Sequence, residues 1–133
     1  MTEVIVVDKT DQIMLALSSL RLAVVSFNDE IKALNAIEVA VKPVILLHQN
    51  VMCEGTVDYI KALLKVSTTC KIVVIAANLS DAEVLGCLLA GANGYQNINE
   101  LSHYADKLVK VIDADEGWIT RRMTATLLDV LRQ

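Results

Sequence analysis

Pro43-Val44-Ile45-Leu46-Leu47-His48-Gln49-Asn50-Val51-Met52-Cys53-Glu54-Gly55 carries the strongest fold signal in this chain. The apolar residues Val44 to Leu47 run without interruption into a histidine and then a loop. A strand of a parallel sheet is buried on both faces, so it reads as a continuous apolar run rather than an alternating one. The residue at the carboxyl end of such a strand faces the crevice where open α/β sheets place their chemistry. Here that residue is His48.

Similar runs lie on either side. Val4-Ile5-Val6-Val7, closed by Asp8, predicts a first strand. Thr10 or Asp11 is placed to cap a helix carrying Ile13, Met14, Leu17 and Leu20 at helical spacing. Arg21 to Val25 predicts the second strand, and Asn28 the cap of the next helix, with Ile31, Leu34, Ile37 and Val41 on its buried side. Pro43 stops that helix and starts the third strand. Thr56 is placed to cap a helix with Val57, Ile60, Leu63 and Leu64 on one face. Lys71 to Ala76 predicts the fourth strand, and Ser80-Asp81-Ala82-Glu83 is a capping box opening a further helix. A glycine of Ala90-Gly91-Ala92-Asn93-Gly94-Tyr95 ends it, and a short fifth strand starts near Gly94. Asn99 is expected to cap a helix carrying Leu101, Ala105, Leu108 and Ile112; Gly117 breaks it, and a sixth helix runs from about 120 to 131. Strand and helix alternate five times, which predicts an α/β fold with a parallel sheet covered on both faces and an extra C-terminal helix.

At 133 residues the chain is sized for one domain with its own core. A net charge of −4 argues against nucleic-acid binding by this segment itself, because phosphate contacts need a basic face. No apolar run approaches the ~20 residues of a membrane span. Met-Thr-Glu leads into no signal-type core, so a cytoplasmic location is expected, without a membrane. Cys53, Cys70 and Cys87 fit neither a disulfide framework nor a zinc site and read as reduced thiols.

Ala90-Gly91-Ala92-Asn93-Gly94-Tyr95, with Asp8 after the first strand and the apolar run into His48, resembles the receiver domain of bacterial response regulators, most of all the LuxR-type subfamily. The resemblance covers Val4 to Leu131 and implies a doubly wound, flavodoxin-like five-stranded sheet of order 2-1-3-4-5. It also implies a DNA-binding domain outside residues 1–133.

Ordinary receivers phosphorylate an aspartate at the third-strand tip, using Mg²⁺, an acidic pair after the first strand, a hydroxyl residue at the fourth tip and a lysine at the fifth. By that resemblance Asp8 keeps the first acidic place, but Lys9 stands at the second. His48 replaces the phosphoacceptor, Ala76 the hydroxyl residue and Ile98 the lysine. Mg²⁺ prefers hard oxygen ligands, and a transferring phosphoryl group needs positive charge, so the set predicts a receiver-like domain independent of phosphorylation and without catalytic residues, metal or cofactor. His48 could in principle accept a phosphoryl group, oriented by Asp8 with Lys9 as the cation; the alternative is a histidine hydrogen-bonded within a retired pocket, or a pH-sensitive cluster with Asp8 and Lys9.

Trp118-Ile119-Thr120-Arg121 is similar to a motif of LuxR-type biofilm regulators that bind cyclic di-GMP at the start of a sixth helix. That resemblance implies ligand contacts from Trp118, Thr120 and Arg121. Without a ligand, Trp118 packs over the fifth helix, Thr120 is an N-cap and Arg121 is solvated. Met123, Leu127, Val130 and Leu131 form an apolar stripe on the sixth helix that packs on its own domain or on a second copy. Receivers commonly self-associate, so a homodimer is expected, with Tyr95 and the fourth-helix face as the alternative surface. Tyr95, lacking a hydroxyl partner at Ala76, is expected to hold one orientation.

Overall fold

The structure, a computed structural model, describes residues 2–132. Five parallel strands form one sheet: β1 (Glu3–Val7), β2 (Ala23–Phe27), β3 (Val44–His48), β4 (Lys71–Ala76) and β5 (Gly94–Asn97). Their order is β2-β1-β3-β4-β5, the predicted doubly wound order. Six helices complete it: α1 (Gln12–Ala16), α2 (Glu30–Val39), α3 (Thr56–Val66), α4 (Asp81–Leu89), α5 (Leu101–Asp113) and α6 (Arg121–Leu131).

Every residue of β3 is buried, as its unbroken apolar run requires. Period-two geometry then divides the strands between two cores. Ile5, Val7, Ile45, Leu47, Ile72 and Val74 join residues of α2 and α3 on one face. Val4, Val6, Val44, Leu46, Val73 and Ile75 join α1 and α5 on the other. Each fully buried aliphatic side chain of this kind contributes ~1.5–3 kcal/mol. A smaller cluster, Val84, Leu88 and Met123, seats α6 on α4.

Several element ends differ from those the sequence predicts. The second strand is Ala23–Phe27, two residues later, because pairing with β1 sets its register: Val7 lies opposite Phe27. The cap of α2 is Asp29, whose side chain accepts from the amides of Ile31 and Lys32. Gly55, not Thr56, holds the cap position of α3, and the Thr56 hydroxyl donates to the Cys53 carbonyl at 2.7 Å. Glu100 precedes α5 in place of Asn99, after a 3₁₀ turn over Ile98–Glu100. The capping box of Ser80 and Glu83 forms as expected, and the Thr120 hydroxyl caps α6 by accepting from the Met123 amide. Gly91 ends α4 with φ 117°, a conformation that favours glycine.

Beyond β5 the chain returns along the sheet edge. The Trp118 amide donates to the Asn93 carbonyl (3.0 Å) and the Tyr95 amide to the Trp118 carbonyl (3.2 Å). Gly94 permits this approach, since a Cβ there would lie 2.5 Å from the Trp118 carbonyl oxygen. Among the described residues no helix is long and apolar enough to cross a membrane.

Candidate functional site

The carboxyl ends of β1, β3, β4 and β5 present Asp8, His48, Ala76 and the turn after Asn97. Asp8 is almost fully buried, and its oxygens are heavily engaged. Oδ1 accepts from the Thr10 amide (2.9 Å), the Thr10 hydroxyl (2.8 Å) and the Asn50 side-chain amide (3.0 Å). Oδ2 accepts from the Ile13 amide at 3.0 Å. Asp8 and Thr10 thus share the start of α1: Asp8 satisfies the Ile13 amide and the Thr10 hydroxyl, as expected, accepts from the Gln12 amide at 3.3 Å, while Asp11 makes no side-chain cap. Burial would raise its pKa, but the bonds from Thr10, Ile13 and Asn50 together outweigh it and hold the carboxyl below the ordinary value.

His48, 7% exposed, is held at both ring nitrogens. The Asn50 amide donates to Nδ1 at 3.1 Å, and Nε2 lies 2.9 Å from the Gln12 side-chain oxygen. An amide donor at Nδ1 requires a lone pair there, so the ring is the neutral tautomer that carries its proton on Nε2 and donates to Gln12. Burial pushes the imidazole pKa down, and the Asp8 charge offsets part of that shift. Asp8 does not orient the ring. Asn50 joins the two instead, donating to each from different atoms, while its side-chain oxygen accepts from the Lys9 amide at 3.3 Å. The Lys9 side chain is exposed and lines an open depression of about 360 Å³ with Thr10, Ser26, Asn28 and Lys32.

At the β4 and β5 tips the positions of interest carry aliphatic side chains, while Asn97 between them donates to the Ala77 carbonyl (2.8 Å) and accepts from the Asn99 amide (2.8 Å). Ala76 is buried, and its carbonyl accepts from the Tyr95 hydroxyl at 3.2 Å. Tyr95 therefore points inward and packs against both the α3-side core and the α4–α6 cluster. Ile98 packs against the opposite core, beside residues of α1 and α5. The residues fit Mg²⁺ poorly: the Asp8 carboxylate is already occupied by donors, the imidazole is bonded at both nitrogens, and the other acid lining the depression, Asp11, is exposed and shares it with Lys9 and Lys32. Among the described residues no three histidine, cysteine or acidic side chains come together to hold a metal.

Trp118 and Thr120 are engaged within the domain. The indole donates to the Gln96 side-chain oxygen at 2.9 Å, and its ring lies 6.1 Å from that of Tyr104. The Thr120 hydroxyl is the α6 cap (3.1 Å to the Met123 amide). Arg121 is exposed, while Arg122 pairs with Asp81 at 3.1 Å. A cleft of about 480 Å³ opens beside Gln96, Tyr104, Trp118 and Thr120. On α6, Met123 is buried against α4 and Leu127 is half-buried, whereas Val130 and Leu131 are exposed. The α6 stripe thus begins as an internal contact and covers part of the α4 face.

Sequence reasoning missed Gln12 and Asn50. Asn50 stands two residues beyond His48, a spacing typical of local turn bonds, and could have been flagged. Nothing local marks Gln12, which reaches His48 across the sheet.

No protein-family model and no curated protein matches the sequence. Solved structures do. The isolated receiver domain of RcsB from Salmonella enterica serovar Typhimurium superposes with a TM-score of 0.80 at 18% identity, covering 97% of this chain and 99% of that one. A LuxR-family two-component response regulator from Aurantimonas sp. SI85-9A1 gives 0.77 at 13% identity, with both chains fully covered. A longer RcsB chain from Salmonella typhimurium, described for its conformational dynamism in DNA interaction, gives 0.79 at 15% identity, covering 96% of this chain and 69% of that one. The chain therefore has the fold of a response-regulator receiver domain.

Proposed function

We propose that this chain is a phosphorylation-independent, receiver-like regulatory domain of a bacterial transcriptional response regulator. It acts by protein–protein contact, as a homodimer, in the cytoplasm. DNA is reached through a separate domain, a reading supported by the longer RcsB neighbour, of which this fold makes up 69%. The observation that carries the proposal is the closed network at the β1 and β3 tips. Asp8 spends its oxygens on Thr10, Ile13 and Asn50, and His48 spends both nitrogens on Asn50 and Gln12. With Ala76 and Ile98 opposite, neither an ion nor a phosphoryl group meets a set of groups to stabilise its charge. Incubation with acetyl phosphate and Mg²⁺, followed by intact-mass measurement, should leave the mass unchanged. A stable adduct on His48 would overturn the reading.

A second reading is a cyclic di-GMP site at Trp118, Thr120 and Arg121. The cleft lined by Trp118 and Thr120, which the exposed Arg121 follows in sequence, favours it. Binding would have to release the Trp118 and Thr120 bonds or work around them. Calorimetric titration decides: heat that disappears in Arg121→Ala supports the site, and no heat at high micromolar ligand removes it.

A further inference from the structure

The cleft of about 480 Å³ beside Trp118 has the volume of a small-ligand site. Among the described residues its walls hold no lysine, arginine or histidine, and one acid, Glu100. Three wall residues are aromatic: Tyr95, Tyr104 and Trp118. Glu100 is exposed and forms no ion pair among the described residues. Lys107 follows on the same face of α5, about 10 Å further along the axis, and does not pair with it.

Two of the rings are held in place. The Trp118 indole donates to the Gln96 side-chain oxygen at 2.9 Å, and the Gln96 side-chain amide donates to the Asn97 carbonyl at 3.0 Å. Gln96 is itself buried, so the indole is tied to a fixed group. Tyr104 meets the His103 ring edge-on, with centroids 4.6 Å apart and planes at 85°. With its N–H spent on Gln96, the indole offers a ligand its ring alone. An aromatic face carries partial negative charge and attracts a cation.

Glu100 directly precedes α5, and Tyr104 follows it by four residues. That spacing puts the carboxylate and the Tyr104 ring on one face of the helix, as neighbours. A phosphate in the cleft would meet this carboxylate and no cation on the walls. A positively charged alkyl group would meet both a counter-charge and rings. The planes of Tyr104 and Trp118 are inclined at 58°, with centroids 6.1 Å apart. Inclined rings make a corner for a rounded ion, whereas a flat guanidinium is better clamped between parallel ones.

We propose that this cleft binds a small organic ammonium ion, with Trp118 and Tyr104 against its alkyl groups and Glu100 as its counter-charge. The inference goes beyond the reading of the domain as one that acts by protein contact. It also differs from the cyclic di-GMP reading, whose phosphates need a cation that these walls lack. Choline is the probe, titrated into the intact chain by calorimetry and by the emission of Trp118, its only tryptophan. Potassium chloride at matched ionic strength is the blank. Choline should bind in the millimolar range. The uncharged isostere 3,3-dimethylbutan-1-ol should bind at least ~5-fold more weakly, because it keeps the shape and loses the charge. Glu100→Gln and Tyr104→Leu, with folding checked by circular dichroism, should each raise the dissociation constant at least ~3-fold. In sedimentation with phosphatidylcholine vesicles the protein should stay in the supernatant; co-pelleting would replace the free ion by a lipid headgroup. No choline binding at tens of millimolar, an isostere of equal affinity, or an unchanged Glu100→Gln variant would overturn the inference. Heat with cyclic di-GMP but none with choline would overturn it too and leave the dinucleotide reading standing.

Discussion

The crevice has two halves built on opposite principles. At the β1 and β3 tips, polar side chains are packed together and bonded to one another. At the β4 and β5 tips, Ala76 and Ile98 offer no polar side chain. The first half bonds its tip residues Asp8 and His48 to the loops; the second packs Ile98 on the core and leaves the loop bonds to Asn97 and Tyr95. One crevice thus carries two kinds of strand tip: polar groups bonded to one another at Asp8 and His48, and aliphatic side chains at Ala76 and Ile98.

Removing the centre of the polar half should cost most. Asp8→Ala leaves the Ile13 amide and the Asn50 and Thr10 donors without their acceptor, and should destabilise the fold by about 3 kcal/mol in urea denaturation. A smaller loss is expected in the apolar half. Ile98→Lys gives up half-buried contacts with the α1–α5 core, while the lysine stem can lie along the same surface, so about 1–2 kcal/mol should be lost. A mass gain with acetyl phosphate in that variant would show that the side chain at position 98 controls phosphoryl transfer. Tyr95→Phe removes the bond to the Ala76 carbonyl and should cost about 0.5–1 kcal/mol. A larger loss would mean that the apolar half depends on polar contacts after all.

The last effect is confined to acid and to the polar half. The folded-state pKa of His48 lies below its ordinary value of 6.5. Between the two values the unfolded chain binds more protons, so stability is full above 6.5 and declines as pH falls toward the folded-state pKa. The same sign applies to Asp8 below 3.8. In denaturant melts at stepped pH, His48→Asn, which can offer an acceptor near the Nδ1 position, should abolish the first decline and leave the second. A wild type whose stability is flat from pH 7.5 to 5 would contradict the neutral, doubly bonded ring.

The apolar half was the more legible from sequence. β4 is Lys71–Ala76 as its run predicts, with Ala76 at its end, because buried strands write their position as continuous hydrophobicity, whereas Ile98, which only the resemblance assigns, lies in the 3₁₀ turn after β5. The polar half was legible as a list of residues but not as a network. His48 was found at its strand tip, yet Gln12 and Asn50 hold it where Asp8 and Lys9 were the natural candidates. Side-chain partners across a crevice depend on how two loops meet, and no periodicity records that. The β2 shift has a similar origin: Phe27 belongs to the strand because the Asp8 amide reaches its carbonyl.

The close approach of Gly94 and Trp118 also limits any assembly built by strand pairing. A sheet with two bare edges can add copies without limit and grow into a fibre. Here the chain itself pairs with the start of the β5 edge at Asn93 and Tyr95, which shortens that edge and leaves β2 as the longer bare strand. One glycine without a Cβ thereby narrows the surface that strand pairing at this end of the sheet could use.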